Sequence, residues 1–348
     1  MEFGLFQEFP TFPDRSHADA FDGALEQVDA AERGGLDAVW LAELHFAPER
    51  SVLASPLTVA AAIAARTSRI KIGIAVQVLP LCHPLRLAEE VATVDQLSRG
   101  RLIFGVGRSG VVQTYDAYNV PYAESRDRFA ETLDIVKRAW TEPRFSYRGK
   151  YLSFDDVTVV PQPYQKPHPP IRMAASTSDT YAMIGELGLP IFASARTVTW
   201  TDTAAAIRRY RAAYAAAGHP GKGEVYVSVP IYLAESEARA LSDPERSVMR
   251  FYQYQADLQA ESAARSGAAG AARAARGERL RHLTYGQALT DHLVFGTPAA
   301  VVQRLSALRD EIGLDGILAE LNCGGLIPHA QVMNALRLLC AEVVPQFR

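Results

Sequence analysis

Three glycines and one arginine close the run Leu102 to Gly110, Leu-Ile-Phe-Gly-Val-Gly-Arg-Ser-Gly. Gly105, Gly107 and Gly110 spell G-x-G-x-x-G, the spacing of a dinucleotide-binding turn that follows a strand. The residues beyond, Val-Val-Gln-Thr-Tyr-Asp-Ala-Tyr-Asn-Val-Pro, lack a helical apolar period, and no second strand with a terminal acid follows at the required distance. The chemistry therefore rests on Arg108, whose guanidinium can fork onto an anion. Ser176-Thr177-Ser178-Asp179-Thr180 stands between a strand-like and a helical run, where hydroxyls and free N–H groups form an anion cradle. Arg108 and this segment point to a phosphate. The alternative is that Ser178 or Asp179 caps the helix while Arg108 meets a surface acid. Glycines at 105 and 107 favour the ligand, because a strand end without side chains lets a flat ring approach the backbone.

His45 follows Glu43 in Leu-Ala-Glu-Leu-His-Phe and is a candidate acid or base; the alternative is a structural histidine bonded to Glu43. G-x-S-x-G, H-E-x-x-H and P-loop signatures are absent, as is any metal-ligand spacing, so no metal is expected.

These residues need a scaffold, and the chain alternates strand-like and helical runs. Strands are expected at Glu2–Phe6, Ala38–Leu41, Ile70–Leu79, Leu102–Val106, Ile171–Ala175, Ile191–Ala195, Tyr226–Leu233 and Gly316–Leu321, each with a helix after it. Eight such repeats close an α/β (β/α)8 TIM barrel of about 250 residues, with its site at the carboxyl ends of the strands. The remaining hundred or so residues fall into insertions near 110–124, 141–170 and 245–295. No Pro/Ser-rich linker divides the chain, so residues 1–348 read as a single domain. The site rule selects Phe6 to Phe9, Glu43 and His45, Gln77 to His83, Gly107 to Gly110, Ser176 to Thr180, Ser194 to Arg196, and Asn322 to Gly325.

Lys+Arg of 36 against Asp+Glu of 39 gives net charge −3 without a basic run, which argues against nucleic acid or an anionic membrane as partner. The first ten residues carry acids where a signal peptide needs a basic flank, and no apolar stretch approaches spanning length. A cytoplasmic protein is expected. Its three cysteines, Cys82, Cys323 and Cys340, read as reduced thiols.

The opening Met-Glu-Phe-Gly-Leu-Phe, the stretches 35–46 and 78–101, Phe-Gly-Val-Gly-Arg, Ser125-Arg126, Gly188-Leu189-Pro190 and Phe295-Gly296-Thr297-Pro298 resemble the bacterial luciferase-like flavin monooxygenases, in order from residue 1 to beyond 320. The resemblance implies FMN, supplied reduced by a separate flavin reductase, whose C4a-hydroperoxide with O2 oxygenates a small-molecule organic substrate. Arg108 would bind the FMN phosphate with Ser176, Thr177 and Thr180, and Gly107 and Ser109 would lie alongside. Ala75 and Val76 would lie under the isoalloxazine, where relatives often carry a non-proline cis peptide. His45 and Glu43 would be the catalytic pair, and Phe6, Leu44, Gln77 and Ala195 would face the substrate. Residues 257–290 fall where luciferases have a mobile lid, and their Ala/Gly/Arg composition fits a loop that orders on flavin binding. A homodimer is implied, with Ala60, Ala61 and Ala64 allowing close helix packing; the alternative is packing of that helix on its own barrel.

Departures from the family bear on activity. Leu44 stands where luciferases carry a basic histidine, so light emission is not expected. Gly107 replaces a cysteine and Ala195 a tryptophan, which suggests a substrate bulkier than a fatty aldehyde. Two other readings fit the same barrel: a flavin- or deazaflavin-dependent dehydrogenase, and a non-catalytic flavin-binding protein.

Overall fold

The computed structural model describes residues 1–11, 15–175, 178–265 and 270–348. The first half runs β1 (Glu2–Gln7), α1 (His17–Arg33), β2 (Ala38–Leu41), α2 (Pro56–Arg66), β3 (Lys71–Ile74), β4 (Gln77–Val78), α3 (Pro84–Ser98), β5 (Leu102–Gly107), α4 (Val112–Ala117) and α5 (Ser125–Thr141). Next come β6 (Phe145–Arg148), β7 (Ser153–Val157), β8 (Ile171–Ala174), α6 (Ser178–Glu186), β9 (Ile191–Ser194), α7 (Trp200–Ala216) and β10 (Val225–Leu233). The chain ends with α8 (Glu237–Ser242), α9 (Glu245–Ala263), α10 (Gly270–Arg281), α11 (Tyr285–Asp291), β11 (Val294–Gly296), α12 (Pro298–Ile312), β12 (Gly316–Glu320) and α13 (His329–Leu338).

Eight parallel strands close on themselves in the order β1-β2-β3-β5-β8-β9-β10-β12, with β12 pairing back to β1. This is the expected (β/α)8 barrel. Local sequence sets the helix limits. Ser16 caps α1 in a reciprocal capping box with Asp19, and Gly313 ends α12 at φ 74°, a conformation that favours glycine.

A small apolar cluster fills the barrel interior, formed by Phe6, Ala38, Trp40, Ala42, Ile103, Phe192, Tyr226 and Leu318. Trp40 is its largest member and is fully buried. The indole takes space left by two glycines on flanking strands: a Cβ on Gly4 would lie 2.2 Å from Trp40 Nε1, and one on Gly73 2.0 Å from its Cε3. At the amino-terminal end, Arg172 stacks 3.4 Å from the Tyr226 ring centroid, and its Nη1 lies 2.9 Å from Glu2. Lys71 meets the same carboxylate at 3.1 Å.

Several expectations change. The strand foreseen at 70–79 is two short strands, β3 and β4, interrupted at Ala75–Val76, where the peptide is cis. The 110–124 segment contains α4, whereas the antiparallel hairpin β6-β7 within 141–170 stands where the run Tyr147 to Phe154 leads one to expect it. The segment 257–290 is helical over α9, α10 and α11 rather than a loop, although residues 266–269 lie outside the described ones. Its alanines and arginines are good helix formers, and α10 packs on α9 where Gly277 faces the Ala256 carbonyl. On α2, Ala60 and Ala64 are buried within the main core, so only Ala61 of the three alanines is left for another subunit. No helix among the described residues is long and apolar enough to cross a membrane.

Because the Trp40 indole fills the space over Gly73, Gly73→Ala should overpack the interior and cost about 1–3 kcal/mol. Urea unfolding of this variant should show a lower midpoint at an unchanged slope; an unchanged midpoint would contradict the packing described.

Candidate active site

Glu43 and His45 follow β2 at the carboxyl rim of the barrel. The Glu43 side chain is only 4% exposed and accepts three hydrogen bonds: from His45 Nε2 at 2.8 Å, Gln77 Nε2 at 2.6 Å and the Val78 N–H at 2.9 Å. A carboxylate donates nothing, so this contact assigns the proton to His45 Nε2 and leaves Nδ1 as acceptor. Tyr118 O–H lies 3.3 Å from Nδ1 and donates to it. Glu43 thus acts on the imidazole's tautomer and orientation, and Nδ1 is the nitrogen able to take a proton. Gln77 is tied to Glu43, while its Oε1 has no partner among the described residues.

Arg108 leaves the end of β5 and is half-buried. Its Nη1 donates to Ser125 Oγ at 3.1 Å, its carbonyl accepts from Tyr115 O–H, and among the described residues no carboxylate pairs with it. With Arg126, Thr180 and Met183 it lines a groove of about 310 Å3 between α5 and α6. Asp134 and Asp179 line the same groove, but among the described residues neither guanidinium forms an ion pair, and two such groups beside the first turn of a helix suit an anionic ligand. Ser176 and Thr177 lie outside the described residues. Ser109 has φ 58°, and its hydroxyl accepts from the Val111 N–H at 3.2 Å.

The glycines of the opening motif serve packing. A Cβ on Gly105 would fall 1.8 Å from the Ile74 carbonyl oxygen, and one on Gly107 2.4 Å from Val76 Cγ2. Space freed by the missing side chains is therefore taken by neighbouring protein atoms and not left for a flat ring. The expectation of extra substrate room loses its basis at Gly107 for this reason. Ala195 is fully buried, and its carbonyl receives the His292 ring at 3.1 Å. Phe6 is buried on the floor of the mouth beneath Arg196. Leu44 packs against the interior cluster with Ala75 and Val76, whose cis linkage matches the expectation.

The rim also carries a charged set in which Glu8 and Arg196, within the strand-end stretches the sequence selects, meet Arg50 and Glu320, which lie outside them. Glu8 bonds Arg50 Nη2 at 2.5 Å and Arg196 Nη2 at 2.8 Å, and Arg196 Nε lies 2.9 Å from Glu320 Oε2. Burial raises the cost of charge at both carboxyls. The two arginines overcome it at Glu8 and lower its pKa from 4.5 to about 2. At Glu320 burial dominates and the nearby Glu8 charge adds to it, so although Arg196 pairs with it the pKa is pushed up to about 7. The available signal was a charged residue within two positions of a strand end on β1, β9 and β12.

The profile of the luciferase-like monooxygenase family matches residues 1–316. The chain belongs to that family. Among curated relatives, this luciferase-like chain is 30% identical over 185 residues to the oxygenase component of a flavin-dependent trigonelline monooxygenase from Acinetobacter baylyi, covering 52% of this chain and 51% of that one. It is 35% identical over 165 residues to an F420-dependent glucose-6-phosphate dehydrogenase from Kineococcus radiotolerans, covering 45% and 48%. The chain spans about half the length of the curated relatives it matches. Among solved structures it resembles monooxygenase RslO1 from Streptomyces bottropensis, with a TM-score of 0.80, 26% identity and 100% coverage of both chains. It shares its fold, at TM-score 0.80, 22% identity and 99% and 98% coverage, with the FMN-bound oxygenating constituent of 3,6-diketocamphane monooxygenase from Pseudomonas putida.

The rim charges give this luciferase-like barrel a stability profile with opposed slopes. Glu320 holds its proton more tightly folded than unfolded, so its contribution worsens as pH rises from about 4.5 through 7. Glu8 contributes stability that is present above about 4.5 and lost as pH falls toward 2. Glu320→Gln should therefore gain about 1–3 kcal/mol relative to wild type between pH 5 and 8. Urea denaturation at both pH values checks this, and parallel profiles for the two proteins would refute it.

Proposed function

We propose that this chain is the oxygenase component of a cytoplasmic, two-component FMN-dependent monooxygenase, which takes reduced flavin from a separate reductase and uses O2 to oxygenate an organic substrate. The carrying observation is the pairing at one rim of Arg108, which has no carboxylate partner among the described residues, with the Glu43–His45 unit. The flavin-dependent oxygenase among its relatives supports the flavin and the reductase, and the FMN-bound structural neighbour supports FMN.

FMN, when bound and reduced, supplies the oxygen-activating chemistry. The protein's part is to hold it and keep water out. Arg108 and Thr180 take the phosphate, with Arg126 beside them and Ser176 and Thr177 assigned by family resemblance. Ala75, Val76 and Ser109 meet the ring system and ribityl chain, with Gly107 packed behind Val76. Phe6, Leu44, Gln77 and Ala195 border the substrate. His45 moves a proton through Nδ1, and Glu43 is its positioning residue. Leu44 offers no second base, which fits a reaction without light emission. Room for a substrate bulkier than a fatty aldehyde comes from a cavity of about 640 Å3 reached past Ala175 and Ser194. The homodimer rests on family likeness alone, since Ala60 and Ala64 are turned to their own barrel.

The F420-dependent relative favours a second reading, hydride transfer without O2. Anaerobic titration with reduced FMN should show Arg108→Ala binding about 10–100-fold more weakly than wild type, as expected for a lost charge-assisted contact. Mixing with air should give flavin-dependent oxygen uptake. Unchanged affinity in the variant would remove the phosphate assignment, and substrate oxidation without oxygen uptake would favour the dehydrogenase.

A further inference from the structure

A second cavity at the barrel rim lies on the side of α6 away from Arg108. It measures about 640 Å3 and is lined by Ala175 and Ser194 at the ends of β8 and β9, by Tyr181 on α6 and by Arg276, Arg279 and Leu280 on α10. A volume of this order suits a small-molecule ligand. The groove holding Arg108 takes Thr180 and Met183 from the same helix, so α6 separates the two sites.

The cations of this cavity carry the information. Arg276 is half-buried, yet among the described residues neither it nor Arg279 forms an ion pair with any carboxylate. Burial lowers the pKa of Arg276, and the like charges of Arg279 and Arg273 push it further in the same direction. Asp202 and Asp291 also line the cavity without pairing with either arginine. By contrast, Arg273 is fully engaged: it donates to the Gly110 carbonyl at 2.5 Å and to Tyr122 Oη at 2.5 Å. That contact fixes α10 across the mouth and holds Arg276 over the cavity. A guanidinium kept partly out of water, next to like charges and with no paired carboxylate among the described residues, is stabilised by an anion from outside. Tyr181, Leu280 and Leu283 supply apolar surface beside it.

We infer that this cavity binds the substrate and that the substrate is an organic anion with an apolar body, its carboxylate or equivalent acid held by Arg276 and Arg279. The inference rests on the oxygenase reading for calling the ligand a substrate, while the anion site itself stands on the cavity. Held there, the anionic end anchors the ligand, and its body extends past Ser194 toward the strand ends where the reaction face lies.

Calorimetric titration of the flavin-free chain with 2-naphthoate and its neutral isostere 2-naphthamide tests this. Wild type should bind naphthoate about tenfold or more tightly than naphthamide, as one charge-assisted contact supplies. The preference should largely vanish in Arg276→Gln and shrink in Arg279→Gln, which lies on the exposed face and keeps a folding-neutral variant in hand. It should persist in Arg337→Gln, whose guanidinium pairs with Glu235 on an exposed surface. Equal binding of the two probes by wild type, or an undiminished preference in Arg276→Gln, overturns the inference. Reduced FMN should bind Arg276→Gln as it binds wild type. Weaker FMN binding with riboflavin unaffected would give Arg276 to the cofactor phosphate instead and also overturn it. A wild type that prefers naphthoate but binds no reduced FMN would uphold the anion site and defeat the flavin reading.

Discussion

Parallel pairing of β1 with both β2 and β12 is the constraint on which the site depends. Only that closure brings the first and last repeats of the chain side by side, and a parallel ring places every strand's carboxyl end on the same rim. Residues with no local relation then become neighbours: Glu8 meets Arg196 across a separation of 188 residues. The interior must be filled for the ring to close, and Trp40 does so because Gly4 and Gly73 make room for it. The site's floor and the barrel's core are one packing problem, since Phe6, Ala42 and Trp40 belong to the same cluster.

Charge is distributed unevenly around this rim. Glu8 has two arginines and stays ionised, whereas Glu320 has the more weakly directed half of Arg196. Burying an ion pair brings little net stability, because desolvation offsets much of the attraction. The cluster is better understood as fixing the ends of β1, β9 and β12 relative to one another. After the neighbouring strand β2, Glu43 does similar work with neutral donors, holding one imidazole tautomer between a carboxylate and a phenol.

Much of the fold was legible because period-2 and period-3.6 patterns alternate eight times, and such alternation admits few topologies. The rim positions followed from the strand ends, which is how Glu43, His45 and Arg108 were found. What escaped were features set by contact rather than by pattern. The opening glycines looked like clearance for a ligand, but Ile74 and Val76 occupy that space. The Ala/Gly/Arg stretch looked like a loop, since composition alone does not show that α10 would find α9 to pack against. Arg276 was invisible for the same reason: that no carboxylate among the described residues pairs with it is a fact of three dimensions only. The Glu8–Arg196–Glu320 set required knowing which strands are neighbours after closure.

The salt-bridged plug of Arg172, Glu2 and Lys71 at the amino-terminal end has a consequence for traffic. With an arginine stacked between Tyr226 and Trp40 in the bore, the barrel is a blind vessel rather than a tube. Everything that reaches the rim must arrive and leave on one side, beneath the roof made by α9 and α10.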